Sequence, residues 1–144
     1  MSWPLFAVAS ALFASLTAIF GKIGVQNIDS NLAVAIRTTV VVVFAWVLVA
    51  LQPGASPIST ALAVIPQRSW LYLVLSGLAT GGSWLFYYRA LQLGPASRVA
   101  PIDKLSVALT VVLAFAVLGE KPSFGSVAGG ALITAGVLVA AFVK

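Results

Sequence analysis

A chain of 144 residues that is 61% hydrophobic and 8% charged carries far less charge than the roughly 25% of a soluble domain, which excludes a water-exposed globule. Its net charge of +5 comes from eight basic residues scattered singly, which excludes a nucleic-acid-binding patch. There is no cysteine or histidine, and the acids are Asp29, Asp103 and Glu120, so no metal site, cofactor thiolate or Ser-His-Asp set can be assembled and no enzyme is expected.

The first apolar run, about Trp3 to Phe20, is uncharged and ends at Gly21 and Lys22. It lacks the basic leader and the polar mature chain that go with a secretory signal, and reads as a spanning helix. The second runs from about Asn31 to Leu51, with Asp29 or Ser30 as N-cap and one internal charge, Arg37. Between Gln52 and Gln67, four punctuating residues (Pro53, Gly54, Pro57 and Pro66) frame Ile58 to Ile65, which is too short to span and is expected as a loop or short interfacial helix. The third run extends from about Ser69 to Leu93, with Arg68 and Trp70 anchoring its start and Arg89 near its end. After the Gly94-Pro95 turn, the fourth covers about Ala96 to Leu118, interrupted chemically by Pro101, Asp103 and Lys104. The fifth fills Phe124 to Val143 after the Gly119-Glu120-Lys121-Pro122 turn. Each run has about the length a hydrocarbon core of roughly 30 Å requires of a helix. The expectation is therefore an all-α integral membrane protein with five transmembrane helices. Strands are disfavoured because no regular polar and apolar alternation appears.

Three segments, SGLATGGSWLFYYRALQLG, PASRVAPIDKLS and LGEKPSFGSVAGGALITAGV, resemble the EamA family of the drug/metabolite transporter superfamily. The likeness extends over nearly the whole chain and is most specific from Ser76 to Val137. It implies a single EamA-like domain over residues 1–144, forming one half of an inverted-repeat transporter, and a bacterial or archaeal inner membrane as its location. It leaves the substrate open.

The loop charges bear on how such a half finds its partner. The side holding the N-terminus receives Arg68 and Lys121, and the other receives Lys22, Arg98 and Lys144, with Arg89 about a turn inside it. Orientation follows Lys and Arg excess in short loops, so near balance allows insertion both ways. Dual insertion would supply an antiparallel homodimer with its site near the midplane. Insertion in a single orientation is the alternative.

Candidate binding residues follow from intramembrane charge. Arg37 and Asp103 each lie about seven residues inside their helices, roughly 10 Å deep, and Lys104 adjoins them. An isolated charge at depth costs at least about 2.5 kcal/mol, so these groups should face one another or a polar interior. Either Arg37 and Asp103 form an interhelical clamp while Lys104 and Arg89 snorkel to the surface, or Arg37 and Lys104, with Arg89 as a further candidate, attract an anionic group on a solute. Arg89 is expected to snorkel outward, and proton exchange at Asp103 is disfavoured by its cationic neighbours. Thr80, Trp84, Tyr87 and Tyr88 share a helical face. Trp84 is expected to line a cavity, stacking on a planar or cationic solute, with the tyrosines as interfacial belt residues. Ser106 and Thr110 continue a polar stripe from Asp103, unless their hydroxyls bond back to helix carbonyls. Gly77 with Gly81, and Gly125 with Gly129, are GxxxG pairs suited to close helix packing, for the last helix within the chain or across a dimer. Glu120 and Lys121 read as a solvated junction.

These features point to a carrier of a small metabolite or toxic solute, embedded in lipid and working by alternating access as an antiparallel homodimer. Its substrate-binding candidates are Lys104, Asp103, Arg37, Trp84, Ser106 and Thr110. The competing expectation is a non-transporting accessory subunit, or half of a hetero-oligomeric transporter.

Overall fold

The computed structural model describes residues 3–54 and 57–143, and among them every regular element is helical. The helices are α1 (Trp3–Gly24), α2 (Ser30–Ala50), α3 (Ile58–Ala63), α4 (Gln67–Leu93), α5 (Ala96–Asp103), α6 (Leu105–Leu113) and α7 (Phe124–Phe142), with a π-helical turn, Ala114–Leu118, continuing α6. Lys144, counted above among the loop charges, lies outside the described residues.

Local chemistry sets the ends of these elements. The Asp29 carboxylate accepts from the backbone N–H groups of Asn31 and Leu32 at 2.9 and 3.0 Å, satisfying donors that the first turn of α2 leaves unpaired. Ser123 does the same for α7, accepting from the Ser126 N–H at 3.0 Å. The π-helical turn closes at Gly119, whose φ of +68° lies in the left-handed region that glycine enters without a Cβ penalty. There the Glu120 N–H reaches back to the Ala114 carbonyl at 3.2 Å. The six-residue α3 falls within the stretch judged too short to span.

Among the described residues, four segments are long and apolar enough to cross a membrane: Trp3–Gly24, Ser30–Ala50, Ala96–Leu118 and Phe124–Phe142. The third expected span falls on α4, whose 27 residues extend about 40 Å. Its length suffices, but Ser76, Thr80, Ser83, three glycines and the Tyr87-Tyr88-Arg89 run leave it less apolar than the other four.

The fourth span is broken where the sequence interrupts it. Pro101 has no N–H to offer the Ser97 carbonyl, and its ring crowds that same carbonyl. The chain tightens just after it. The Lys104 N–H bonds to the Pro101 carbonyl at 2.9 Å and the Val107 N–H to the Lys104 carbonyl at 3.0 Å, spacings of three residues where an α-helix uses four. α5 and α6 are the two pieces that result.

The chain divides into two compact units, Met1–Ile23 with Ala90–Lys144, and Gly24–Arg89. In the first, α5 and α6 pack against α7. Gly130 on α7 is buried, and a Cβ there would stand 3.9 Å from the Ala108 Cα, so the helices approach closely at this point. At Gly125, in the expected GxxxG pair, an added Cβ would meet the Ser123 hydroxyl at 3.7 Å, and at Gly129 it would meet no atom of the described residues within 4 Å beyond its own stretch of helix. Ala18, Gly21, Leu91 and Val137 are also buried in this unit. In the second unit the buried residues include Val25, Ser30, Ala33, Val34 and Tyr88. Most large apolar side chains point outward, among them Phe86 at 81% and Phe124 at 89% exposure. No water-soluble protein tolerates that much contiguous apolar surface, whereas lipid accepts it.

Candidate functional site

In the Gly24–Arg89 unit, the site centres on Arg37. Seven residues beyond the start of α2, its guanidinium carbon lies over the Trp84 ring, 3.9 Å from the centroid, and 5.6 Å from the centroid of Tyr88. Trp84 and Tyr88 are four residues apart on α4 and so occupy one face. Arg37 and Trp84 are half-buried and Tyr88 is buried. Such a cation over aromatic faces gains about 0.5 to 2 kcal/mol, more as water is withdrawn. Tyr87 meets Tyr88 edge to face at 6.4 Å between centroids. Tyr88 is thus packed within the protein, five residues from the end of α4. Thr80 donates its hydroxyl to the Ser76 carbonyl at 2.9 Å.

In the other unit, the consecutive residues Asp103 and Lys104 stand at the break in the fourth span. The Lys104 ammonium and the Asp103 carboxylate are 3.3 Å apart, with side chains 53% and 38% exposed respectively. A pair this open contributes at most about 1 kcal/mol in water. One turn on, the Thr110 hydroxyl donates to the Ser106 carbonyl at 2.7 Å. That bond uses the hydroxyl's proton and leaves its oxygen able to accept. Near the end of α1, the Lys22 ammonium donates to the carbonyls of Leu91 and Gly94, groups that the end of α4 leaves without helical donors.

The structure therefore brings together Arg37 with Trp84, Asp103 with Lys104, and Thr110 with Ser106. Arg37 and Asp103, the expected clamp, belong to different units, and each has a partner within its own. The stack on Trp84 and the capping by Lys22 were not foreseen. Depth could have revealed the stack: Arg37 lies seven residues from the start of α2, and Trp84 and Tyr88 lie nine and five from the end of α4. A separate open groove of about 550 Å³, bordered by Val111, Phe115, Val127, Ala131, Thr134 and Leu138, is apolar and offers no charge to a polar solute.

Apolar helices with a few charges set at an interruption and on aromatic faces describe a membrane protein. Residues 1–142 match the EamA-like transporter family. The chain belongs to that family. A relative from Sinorhizobium sp, described as an uncharacterized transporter in the cobO 3' region, is 48% identical over 141 residues, covering 97% of this chain and 96% of the relative. No solved structure matches the chain significantly. As an EamA-like transporter, this chain is an integral membrane protein that sits in lipid and binds small solutes. The PIDKLS segment holding the helix break and the Trp84 face both lie within the matched region.

Proposed function

We propose that the chain is a carrier for a small metabolite or toxic solute and works by alternating access as an antiparallel homodimer, with α4 as a fifth spanning helix in each half. The observation that carries this reading is the break at Asp103 and Lys104 inside the apolar Ala96–Leu118 segment. Interrupted helices near mid-membrane are where secondary transporters gather solute and coupling groups, because the freed backbone and side-chain polarity must face a cavity. Lys104, Asp103, Ser106 and Thr110 are solute-binding candidates in one unit, and Arg37 with Trp84 are candidates in the other. No chemical step on the solute is involved.

The antiparallel arrangement is supported by the balance of loop charges, with Arg68 and Lys121 on one side and Lys22, Arg98 and Lys144 on the other. An inverted pair of such halves supplies the pseudo-two-fold symmetry on which rocking between outward and inward states rests. The Sinorhizobium relative supports a bacterial inner membrane as the location.

The test is flux through vesicles containing this chain alone. Counterflow of a preloaded solute library against external tracer should reveal at least one accumulated solute. Absence of flux across the library, with flux appearing only when a second chain is added, would establish the accessory-subunit alternative instead.

A further inference from the structure

We propose that the solute is a monocarboxylate, held by an edge of the Arg37 guanidinium while Trp84 packs on the group; this rests on the carrier reading above. At 3.9 Å from the ring centroid, the guanidinium carbon is at the contact distance of an atom packed on a ring face. The five N–H donors of a guanidinium lie in its own plane, so a ring on its face leaves the edges free to donate. An edge of this kind offers two parallel N–H bonds, the geometry a carboxylate accepts.

The charge balance around Arg37 points the same way. Residues 24–89 contain one acid, Asp29, and its carboxylate is engaged by the Asn31 and Leu32 N–H groups. Arg68, at the far end of α4, lies by Tyr72, 5.8 Å from that ring's centroid. Arg89 follows Trp84 by five residues, about 140° further round the helix, and so projects from a different face. Among the described residues of the Gly24–Arg89 unit, one cation thus serves the Trp84 face, which matches a singly charged group at that ring. The same stack argues against a cationic solute at this ring, since the face is taken by the protein's own positive charge and a second cation would be repelled.

The experiment is equilibrium dialysis of radiolabelled benzoate against the purified full chain in a non-ionic detergent, which excludes anionic lipid headgroups. Bound benzoate should be displaced by excess acetate, and by neither the neutral isostere benzamide nor inorganic phosphate. Arg37→Gln should weaken the dissociation constant about tenfold or more, the loss expected of a charge-assisted hydrogen bond. Arg37→Lys, which keeps the charge and loses the fork, should weaken it as well, and it decides the matter if circular dichroism shows that Arg37→Gln has lost its helices. Trp84→Phe, retaining a ring, should weaken binding severalfold. No benzoate binding, displacement by benzamide or phosphate as effective as by acetate, or an unchanged dissociation constant in folded Arg37 variants would overturn the proposal. Vesicle flux of a solute of another class without benzoate binding would remove the carboxylate and leave the carrier. Arg37-dependent benzoate binding without flux of any solute would do the reverse.

Discussion

The ammonium of Lys22, in the last turn of α1, donates to the backbone carbonyl of Gly94 at 2.9 Å and also to that of Leu91. The two residues are 72 positions apart in the chain, so the contact ties the end of α1 to the turn that follows α4. A cation at this position also meets the partial negative charge of the α4 C-terminus. Lys22→Met keeps the aliphatic stem and removes both bonds. It should destabilise the protein by about 1.5 to 3 kcal/mol, the range for a hydrogen bond to a charged group. Unfolding in mixed micelles with increasing sodium dodecyl sulfate would measure the loss, and a change below about 0.5 kcal/mol would show the contact to be unimportant.

The Arg37 stack makes a separate prediction about stability. In a double-mutant cycle of Arg37→Gln and Trp84→Leu, the coupling energy should favour the native pair by about 0.5 to 2 kcal/mol. Additive losses would mean that the two side chains are neighbours without interaction.

Pro101→Ala restores the missing N–H and should let α5 run into α6 as one helix. An interior proline costs a helix about 3 kcal/mol, so the variant should equal or exceed the parent in stability. Its vesicle flux should fall severalfold, because the break at Lys104 would be healed. Undiminished flux would detach the interruption from transport.

Much of the fold was legible because helix length and hydropathy are local properties. The Asp29 cap, the Gly94-Pro95 turn and the piece at Ile58–Ala63 follow from side-chain chemistry within a few residues. α4 does not match the other four spans in hydropathy, since its glycines and hydroxyls dilute an apolar helix without shortening it. Site residues were harder to place because pairing depends on which helices become neighbours. Arg37 carried a visible need for a partner, but composition could not choose between a carboxylate and an aromatic face. The Thr110 bond to Ser106 is a local interaction that any threonine in a helix can make, so a polar stripe in the sequence does not by itself specify a lining.

Gly130 separates packing from helix propensity. A methyl there would stand 3.9 Å from the Ala108 Cα, an ordinary contact. Gly130→Ala should therefore be tolerated or stabilise by about 0.5 to 1 kcal/mol. Gly130→Leu should force α6 and α7 apart at a cost of about 1 to 3 kcal/mol. The same denaturation assay would compare them, and equal stability of the two variants would show that the approach at this point is not tight.

Dual insertion predicts that single cysteines introduced near Gly54 and near Gly119, in an otherwise cysteine-free chain with its loop cations kept, each react from both faces of the membrane. Labelling confined to one face at native expression would exclude it. Two lysines added to one side should bias insertion and reduce flux, since only one kind of half would remain.

The outward placement of side chains such as Phe86 and Phe124 bears on thermodynamics as well as on location. When helices of a soluble bundle separate, apolar groups enter water and the heat capacity rises steeply, which bends the stability curve and produces cold denaturation. Here the groups already face lipid and remain in lipid as the helices part. Calorimetry of the protein in bilayers should accordingly show almost no heat-capacity increment and no low-temperature unfolding arm, leaving stability to vary nearly linearly with temperature.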